Sequence, residues 1–187
     1  VAEYTLNILS QINQTGQDRL TLFSNSWTNP TAPSLAQTSL ADMAPPLTMS
    51  SLASPSHINF EQKQTRWPNK IFNISQILGS KTVDHFMPSA DVFWLPNLNF
   101  FQTHKPYVLT VHDLSYEIYP EFFSQKMRLW HRGLNPRKLA QNAAKIIAVS
   151  ENTKKDLIKY YGINSDKIET IYSGIADRYF EPTRPEI

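Results

Sequence analysis

Four short apolar runs stand out from residue 91 onward, and each is closed by a polar or turn-forming residue. Continuous runs of this kind, rich in β-branched and aromatic residues, are typical of strands buried on both faces of a parallel sheet. We therefore predict strands over Asp91–Leu95, Tyr107–Val111, Ile146–Val149 and Ile168–Ile171.

Helical patterns separate the last three of these runs. Phe123, Met127, Trp130 and Leu134 recur at helical spacing behind the N-cap candidate Ser124. Asn-Pro at 135–136 indicates that a new helix begins there and continues to residue 142. A further helix is predicted over 151–161, between a Ser cap and a closing Gly. Strand and helix alternate, so the predicted fold class is α/β, with a Rossmann-like parallel sheet flanked by helices.

The first half of the chain gives weaker signals. We predict an amphipathic helix over residues 1–14, a strand at 20–23, and a helix from Pro68 to Leu78 that Gly79 closes. Prolines and hydroxyl residues crowd positions 25–57, which predicts a long loop, either facing substrate or forming a poorly ordered insertion. His57–Phe60 is a possible strand.

In doubly wound sheets, ligands bind beyond the carboxyl ends of the strands, so the residues that follow each run are the candidate site. His112 is the strongest, because an imidazole there can donate to a hydroxyl or act as an acid or base near neutral pH. It can equally be an ordinary loop histidine, and Ser150 can simply cap its helix. The candidates are Asn97, His112, Asp113, Ser150, Glu151, Ser173 and Gly174.

Composition removes several classes of function. The 187 residues contain no cysteine, which excludes disulfides and thiolate chemistry and fits a reducing compartment. The five glycines are too scattered for a phosphate-binding loop, and the five histidines are not at metal-ligand spacing, so no metal is expected. A net charge of +2 does not indicate a nucleic-acid partner, and no apolar run is long enough to span a membrane.

Basic residues accumulate between Glu121 and Glu151, a stretch that contains no acidic residue. A basic amphipathic helix can rest on anionic lipid head groups, with Trp130 at the interface. The alternative is a solvated basic face whose apolar stripe belongs to the core. The predicted membrane or anion contacts are Arg128, Arg132 and Arg137.

Three blocks, YVLTVHDLSY at 107–116, AKIIAVSENTKKDL at 144–157 and KIETIYSGI at 167–175, closely resemble the N-terminal half of family 4 glycosyltransferases in order and spacing. The resemblance is strong over about residues 85–180. Residues 22–27, LFSNSW, resemble the mannosyltransferase-like branch of that family.

The resemblance implies a GT-B architecture of two Rossmann-like domains. Residues 1–180 would be the acceptor-side domain, without its first strand and glycine-rich turn, and 181–187 would begin the interdomain linker. The donor-binding C-terminal domain would be absent. The family's paired glutamates, seven residues apart, have no counterpart here, so we expect the isolated chain to be inactive.

For the reaction, the resemblance implies retaining transfer without a metal or other cofactor. His112 matches the family's cleft histidine near the reacting centre, accompanied by Asp113. Ser150 and Glu151 match its acceptor side, and Ser173-Gly174 its loop toward the second domain, although Ser173 stands where the family usually has Asn.

The predicted protein transfers a hexose, with mannose from GDP-mannose as one candidate, to a glycan or lipid-linked acceptor in cell-surface polysaccharide synthesis. We expect it in the cytoplasm, at the inner face of the membrane. The alternative is a non-catalytic module that binds a sugar or a lipid head group, or a partner subunit of a catalytic chain.

Overall fold

The computed structural model describes residue 8 and residues 21–25, 61–65, 67–79 and 82–174. These residues form six strands: β1 (Thr21–Asn25), β2 (Glu61–Thr65), β3 (Phe93–Leu95), β4 (Tyr107–Val111), β5 (Lys145–Ala148) and β6 (Ile168–Thr170). Six α-helices accompany them: α1 (Asn69–Leu78), α2 (Val83–Phe86), α3 (Ser115–Ile118), α4 (Gln125–Leu134), α5 (Pro136–Asn142) and α6 (Glu151–Tyr161). Short 3-10 turns cover Pro120–Phe122 and Ser165–Lys167.

Strands β3, β4, β5 and β6 lie side by side in that order and form a parallel sheet with flanking helices. Val108 pairs with Lys145, and Ile146 pairs with Ile168, along the register of the last three strands. The predicted α/β fold with a Rossmann-like parallel sheet is confirmed. A parallel arrangement puts the carboxyl ends of all four strands at one edge, as the candidate site requires.

Contacts within the chain define two compact units, Val1–Phe93 with Asn99–Pro106, and Trp94–Leu98 with Tyr107–Ile187. The core of the second unit consists of the sheet and the helices on it. Leu109, Ile146 and Leu157 are completely buried there. Tyr107 is also buried, and its hydroxyl donates to the Leu139 carbonyl at 2.6 Å, which ties β4 to α5.

Helix α6 shows how closely local signals can set an element's limits. Ser150 Oγ accepts from the Thr153 N–H, so it is the predicted N-cap, and Gly162 ends the helix with φ at +67°. That left-handed conformation suits glycine because it has no Cβ. Ser124 and Asn135 likewise cap α4 and α5 through their side chains, as predicted.

In the first unit, β1 and β2 form a two-stranded parallel sheet in which Thr21 pairs with Glu61 and Asn25 with Thr65. Strand β1 confirms the predicted strand, shifted by one or two residues toward the carboxyl end. Strand β2 was not predicted, because its sequence EQKQT carries no apolar alternation. The predicted strand at 57–60 and loop positions 26–57 lie outside the described residues, as does the 1–14 helix apart from Ile8, which is helical.

Helix α1 forms where predicted, and Gly79 ends it at φ +65°. The face of this helix that is buried is not the face that carries its apolar stripe. The isoleucines Ile71, Ile74 and Ile77 are about half exposed, whereas Ser75 and Gln76 are buried. Burial of these polar groups is tolerated because they are hydrogen-bonded: Ser75 Oγ donates to the Phe72 carbonyl, and Gln76 Oε1 accepts from the Gln102 N–H.

Asp84 organises the loop that follows β3 in the first unit. Its carboxylate accepts hydrogen bonds from the Thr103 hydroxyl and, at 2.7 Å, from the His104 N–H. Burial acts to raise the pKa of Asp84, but these hydrogen bonds outweigh it and hold the pKa below its ordinary value. The His104 ring also contacts Asp84 while its side chain stays 81% exposed.

Candidate active site at the carboxyl edge of the sheet

The predicted site residues do gather at one edge, because each follows a strand of the same parallel sheet. Asn97 follows β3, His112 and Asp113 follow β4, Ser150 and Glu151 follow β5, and Ser173 and Gly174 follow β6. All except His112 and Ser150 are exposed, and these two are half-buried. The edge is therefore a surface open to a ligand, with His112 as its most enclosed ionisable side chain.

His112 is held in place at two points. Its ring Nε2 lies 3.0 Å from the Pro96 carbonyl oxygen at the end of the neighbouring strand β3. A carbonyl can only accept, so Nε2 carries a hydrogen, which fixes the tautomer of the neutral ring. The backbone carbonyl of His112 in turn accepts a hydrogen bond from Thr153 Oγ1 at 3.0 Å.

A short relay of hydroxyls supports this arrangement from α6. The single hydrogen of Thr153 Oγ1 goes to the His112 carbonyl, so the hydrogen between Ser150 Oγ and Thr153 Oγ1, 2.9 Å apart, comes from Ser150. Ser150 Oγ also accepts from the Thr153 N–H at 3.1 Å. Ser150 is thus a helix cap that also anchors the His112 loop, and a direct contact with substrate stays a prediction.

Asp113 has a structural task as well. Its Oδ1 accepts from the Ser115 N–H at 2.8 Å and from the Ser115 hydroxyl, which fixes the turn into α3. The Asp113 side chain, which also carries the second carboxylate oxygen, is exposed. Asn97 makes a local bond of the same kind, since its Oδ1 accepts from the Leu98 N–H at 2.8 Å. Roles for these two residues toward a substrate remain predictions.

Sequence reasoning missed Thr153, Pro96 and the partly buried Trp94–Thr110 hydrogen bond, in which Trp94 Nε1 donates to Thr110 Oγ1 at 3.0 Å. Of these, only Thr153 could have been found from the sequence. It lies three residues after the cap Ser150, which is the position whose backbone N–H bonds the side chain of a helix cap. Its bond to His112 spans 41 residues and depends on the sheet.

The three predicted anion contacts, Arg128, Arg132 and Arg137, come together in the second unit. They line one open groove of about 820 Å³ between α3, α4 and α5. Arg137 Nη2 donates to the Tyr160 carbonyl, and its guanidinium lies 5.6 Å from the centroid of the Tyr161 ring. Arg137 therefore also joins α5 to α6.

The apolar stripe of α4 is only partly in the core. Leu134 is buried, but Met127 and Trp130 are 48% and 38% exposed, and Leu129 is 72% exposed. Phe122, in the 3-10 turn before the helix, is 80% exposed. The apolar stripe of this helix is therefore not wholly buried in the core, as the alternative interpretation would require.

A family model for glycosyltransferase family 4 matches residues 51–178, more than half of the chain. The chain belongs to glycosyltransferase family 4. The match supports the resemblance to the N-terminal domain of such an enzyme, and transfer of a glycosyl group is the activity that the family carries. A search of curated proteins found no match to the chain.

For a family 4 glycosyltransferase, the ligands to be accommodated are a sugar donor and an acceptor. Among the described ranges, no three His, Asp or Glu side chains are grouped so that they could hold a metal ion. Nor, over those ranges, is any helix both long and apolar enough to cross a bilayer.

Proposed function

We propose that this family 4 glycosyltransferase is a retaining hexosyltransferase that uses a nucleotide sugar, with GDP-mannose as the leading candidate, and no metal cofactor. The acceptor is a glycan or a lipid-linked saccharide in cell-surface polysaccharide synthesis. The observation that carries the proposal is the placement of His112, half-buried and held from Pro96 and Thr153 at the carboxyl edge of a parallel sheet.

In this proposal the described residues hold the acceptor and order the reacting centre. His112 contacts a sugar hydroxyl near the anomeric carbon, where positive charge develops, and a fixed ring lowers the cost of reorganisation at that moment. Asp113, Asn97, Ser150, Glu151, Ser173 and Gly174 complete the rim. A donor-binding domain, which would form the second half of a GT-B fold, supplies the contacts to the diphosphate.

The experiment offers a panel of nucleotide hexoses to the protein with its donor-binding domain present and follows the anomeric proton of the product by NMR. We expect GDP-mannose to be the preferred donor and the product to keep the donor's anomeric configuration. Inversion would overturn the retaining assignment. A different preferred sugar would overturn mannose alone. The 187-residue chain by itself is expected to give no product.

We also propose a peripheral contact between α4 and the inner face of the membrane. Support comes from the exposed Met127, Leu129 and Trp130, which share the helix with Arg128 and Arg132. Exposed apolar side chains among basic ones are the usual composition of an interfacial helix. If charge reversal at Arg128, Arg132 and Arg137 leaves binding to anionic vesicles unchanged, this contact is wrong.

The second candidate function is a non-catalytic module or partner subunit that binds a sugar or a lipid head group. The groove that Arg128, Arg132 and Arg137 line favours it, because such a groove can bind an anionic head group without any turnover. The same NMR experiment distinguishes the two candidate functions. A module shows binding, while every nucleotide sugar in the panel remains unconsumed when the donor-binding domain is present.

A further inference from the structure

Strand β3 supports the His112 ring although the strand is short. It contains three residues, Phe93–Leu95, and it lies at one end of the four-stranded sheet, next to β4. Pro96 follows directly, and its carbonyl oxygen lies 3.0 Å from His112 Nε2. Proline has no backbone N–H, so Pro96 cannot donate a bond that would hold this segment. The place of the Pro96 carbonyl therefore depends on what fixes β3 along β4.

One hydrogen bond between side chains fixes β3 along β4. Trp94 Nε1 donates to Thr110 Oγ1 at 3.0 Å, and Thr110 is completely buried while Trp94 is half-buried. An indole N–H can only donate, and a tryptophan that is largely buried settles where this group finds an acceptor. The bond can form only when both side chains lie on the same face of the sheet and at one position along the strands.

The Trp94–Thr110 bond and the contact between His112 and Pro96 follow the same geometry. Each joins two residues that are 16 positions apart in the sequence. On both segments the Trp94–Thr110 bond comes two residues earlier, which is one repeat of an extended strand. Movement of β3 along β4 would therefore break both contacts together. The bond of Trp94 thus keeps the Pro96 carbonyl at the ring of His112.

His112 has a second support that does not involve β3. The Thr153 hydroxyl donates to the His112 backbone carbonyl from helix α6. That bond holds the main chain of the loop, whereas the Pro96 carbonyl holds the imidazole ring. Loss of the Trp94 bond should accordingly loosen the ring while the main chain stays anchored. This difference separates a positioning role of Trp94 from a general contribution to stability.

We propose that Trp94 is a positioning residue for His112. Its bond to Thr110 fixes β3 where the Pro96 carbonyl accepts from His112 Nε2, and it thereby holds the imidazole ring in one orientation. This rests on the proposed function in one respect, namely that His112 contacts a sugar hydroxyl at the reacting centre. Correct placement of a reacting group acts on the chemical step, so the expected effect is on turnover and not on substrate affinity.

The first test measures how fast the His112 ring N–H exchanges with water, by NMR on the 187-residue chain. Mildly alkaline solution is used because an ordinary histidine is neutral there. Long-range nitrogen–proton spectra identify the ring nitrogen that carries the hydrogen. Trp94→Phe keeps an aromatic ring but removes the donor, and Thr110→Val keeps the shape but removes the acceptor. Thr110→Ser is the conservative variant, because it retains a hydroxyl.

Two controls remove the same chemical groups elsewhere. Thr170→Val deletes a buried hydroxyl on β6 that has no hydrogen-bond partner in the described part of the chain. Trp67→Phe deletes an indole N–H in the first unit, where Trp67 packs edge-on against Phe86. Circular dichroism and the protection of the Leu157 amide in α6 check that each variant is folded.

We expect Trp94→Phe and Thr110→Val each to speed exchange of the His112 ring N–H by about fivefold or more, the change that loss of one ordinary hydrogen bond produces. The hydrogen should also be less strictly confined to Nε2. Thr110→Ser should keep the slow exchange of the unaltered chain. Thr170→Val and Trp67→Phe should keep it as well.

The second test separates turnover from affinity. It measures glycosyl transfer by the protein together with the donor-binding domain proposed above. Trp94→Phe and Thr110→Val should lower kcat by about tenfold or more and change KM for the acceptor by less than about twofold, because the misplaced ring acts on the chemical step. Thr110→Ser should restore kcat.

Unchanged exchange of the His112 ring N–H in either Trp94→Phe or Thr110→Val would overturn the proposal. Equal acceleration in Thr110→Ser or in a control variant would also overturn it, since the sheet would then be loosened generally. A rise in KM with unchanged kcat would have the same consequence. The exchange measurement needs no turnover, so a failure of the proposed transfer reaction would leave it standing. A failure of the Trp94 role would leave the assignment of His112 intact.

Discussion

The bond from Thr153 to the His112 loop gives a prediction whose size follows from the structure. Thr153 is 4% exposed, and its hydroxyl donates to the His112 carbonyl and accepts from Ser150. Thr153→Val keeps the shape and similar helix propensity but removes both bonds. Because a buried polar group left without its partner costs free energy, we expect the unfolding free energy to fall by about 1–3 kcal/mol.

Thr170 offers a matched control on β6. Its Oγ1 is buried and has no hydrogen-bond partner among the described residues. The same exchange, Thr170→Val, therefore removes an unsatisfied hydroxyl and should leave stability unchanged or raise it by up to about 1 kcal/mol. Urea unfolding followed by circular dichroism measures both variants, with unchanged m-values as the condition for comparing them. Equal effects of the two exchanges would refute the assigned bond.

Three further predictions concern packing, backbone and pH. Leu109→Ala, in the fully buried centre of the sheet, should cost about 2–5 kcal/mol in urea unfolding, whereas Leu129→Ala on the exposed helix face should change stability by less than about 0.5 kcal/mol. Gly162→Ala should cost about 1–2 kcal/mol because the φ of +67° at Gly162 is unfavourable for a residue with a Cβ. The open, ordinary backbone at Gly174 should accept alanine. Equal thermal stability of the Gly162→Ala and Gly174→Ala variants would contradict this prediction. Burial lowers the pKa of His131 below 6.5 in the folded chain, so protonation favours the unfolded chain. The unfolding free energy should therefore fall as pH drops from 6.5 through the folded pKa. The variant His131→Phe should lose that part of the pH dependence.

The elements that could be predicted from the sequence are those whose signals are local. Strand β4 occupies Tyr107–Val111 and α6 occupies Glu151–Tyr161, both as predicted, since a continuous apolar run defines one and a Ser cap and Gly stop define the other. The edge that gathers the candidate residues follows from parallel pairing. His112 could be placed there from its position after β4 alone.

The features that could not be predicted depend on contacts between distant residues. Strand β2 is polar throughout and forms by pairing with β1, which no periodicity indicates. Helix α1 buries Gln76 instead of its isoleucines because Gln76 bonds the backbone at residue 102. In the same way, the arginines of α4 and α5 were recognisable as basic, but their convergence on one groove requires the turn between the two helices.

His112 is the residue on which the functional account depends most, and its replacement is the most direct test. The assay measures glycosyl transfer by the protein together with the donor-binding domain proposed above, comparing His112→Ala with His104→Ala. His104 is an exposed histidine of the first unit that is bonded to Asp84, so it controls for loss of an imidazole.

We predict that His112→Ala lowers the turnover number by about 100-fold or more, because a fixed polar contact at the reacting centre is lost, while His104→Ala leaves it unchanged. Equal turnover by His112→Ala and the unaltered protein would contradict the assignment of the reacting centre to this edge of the sheet.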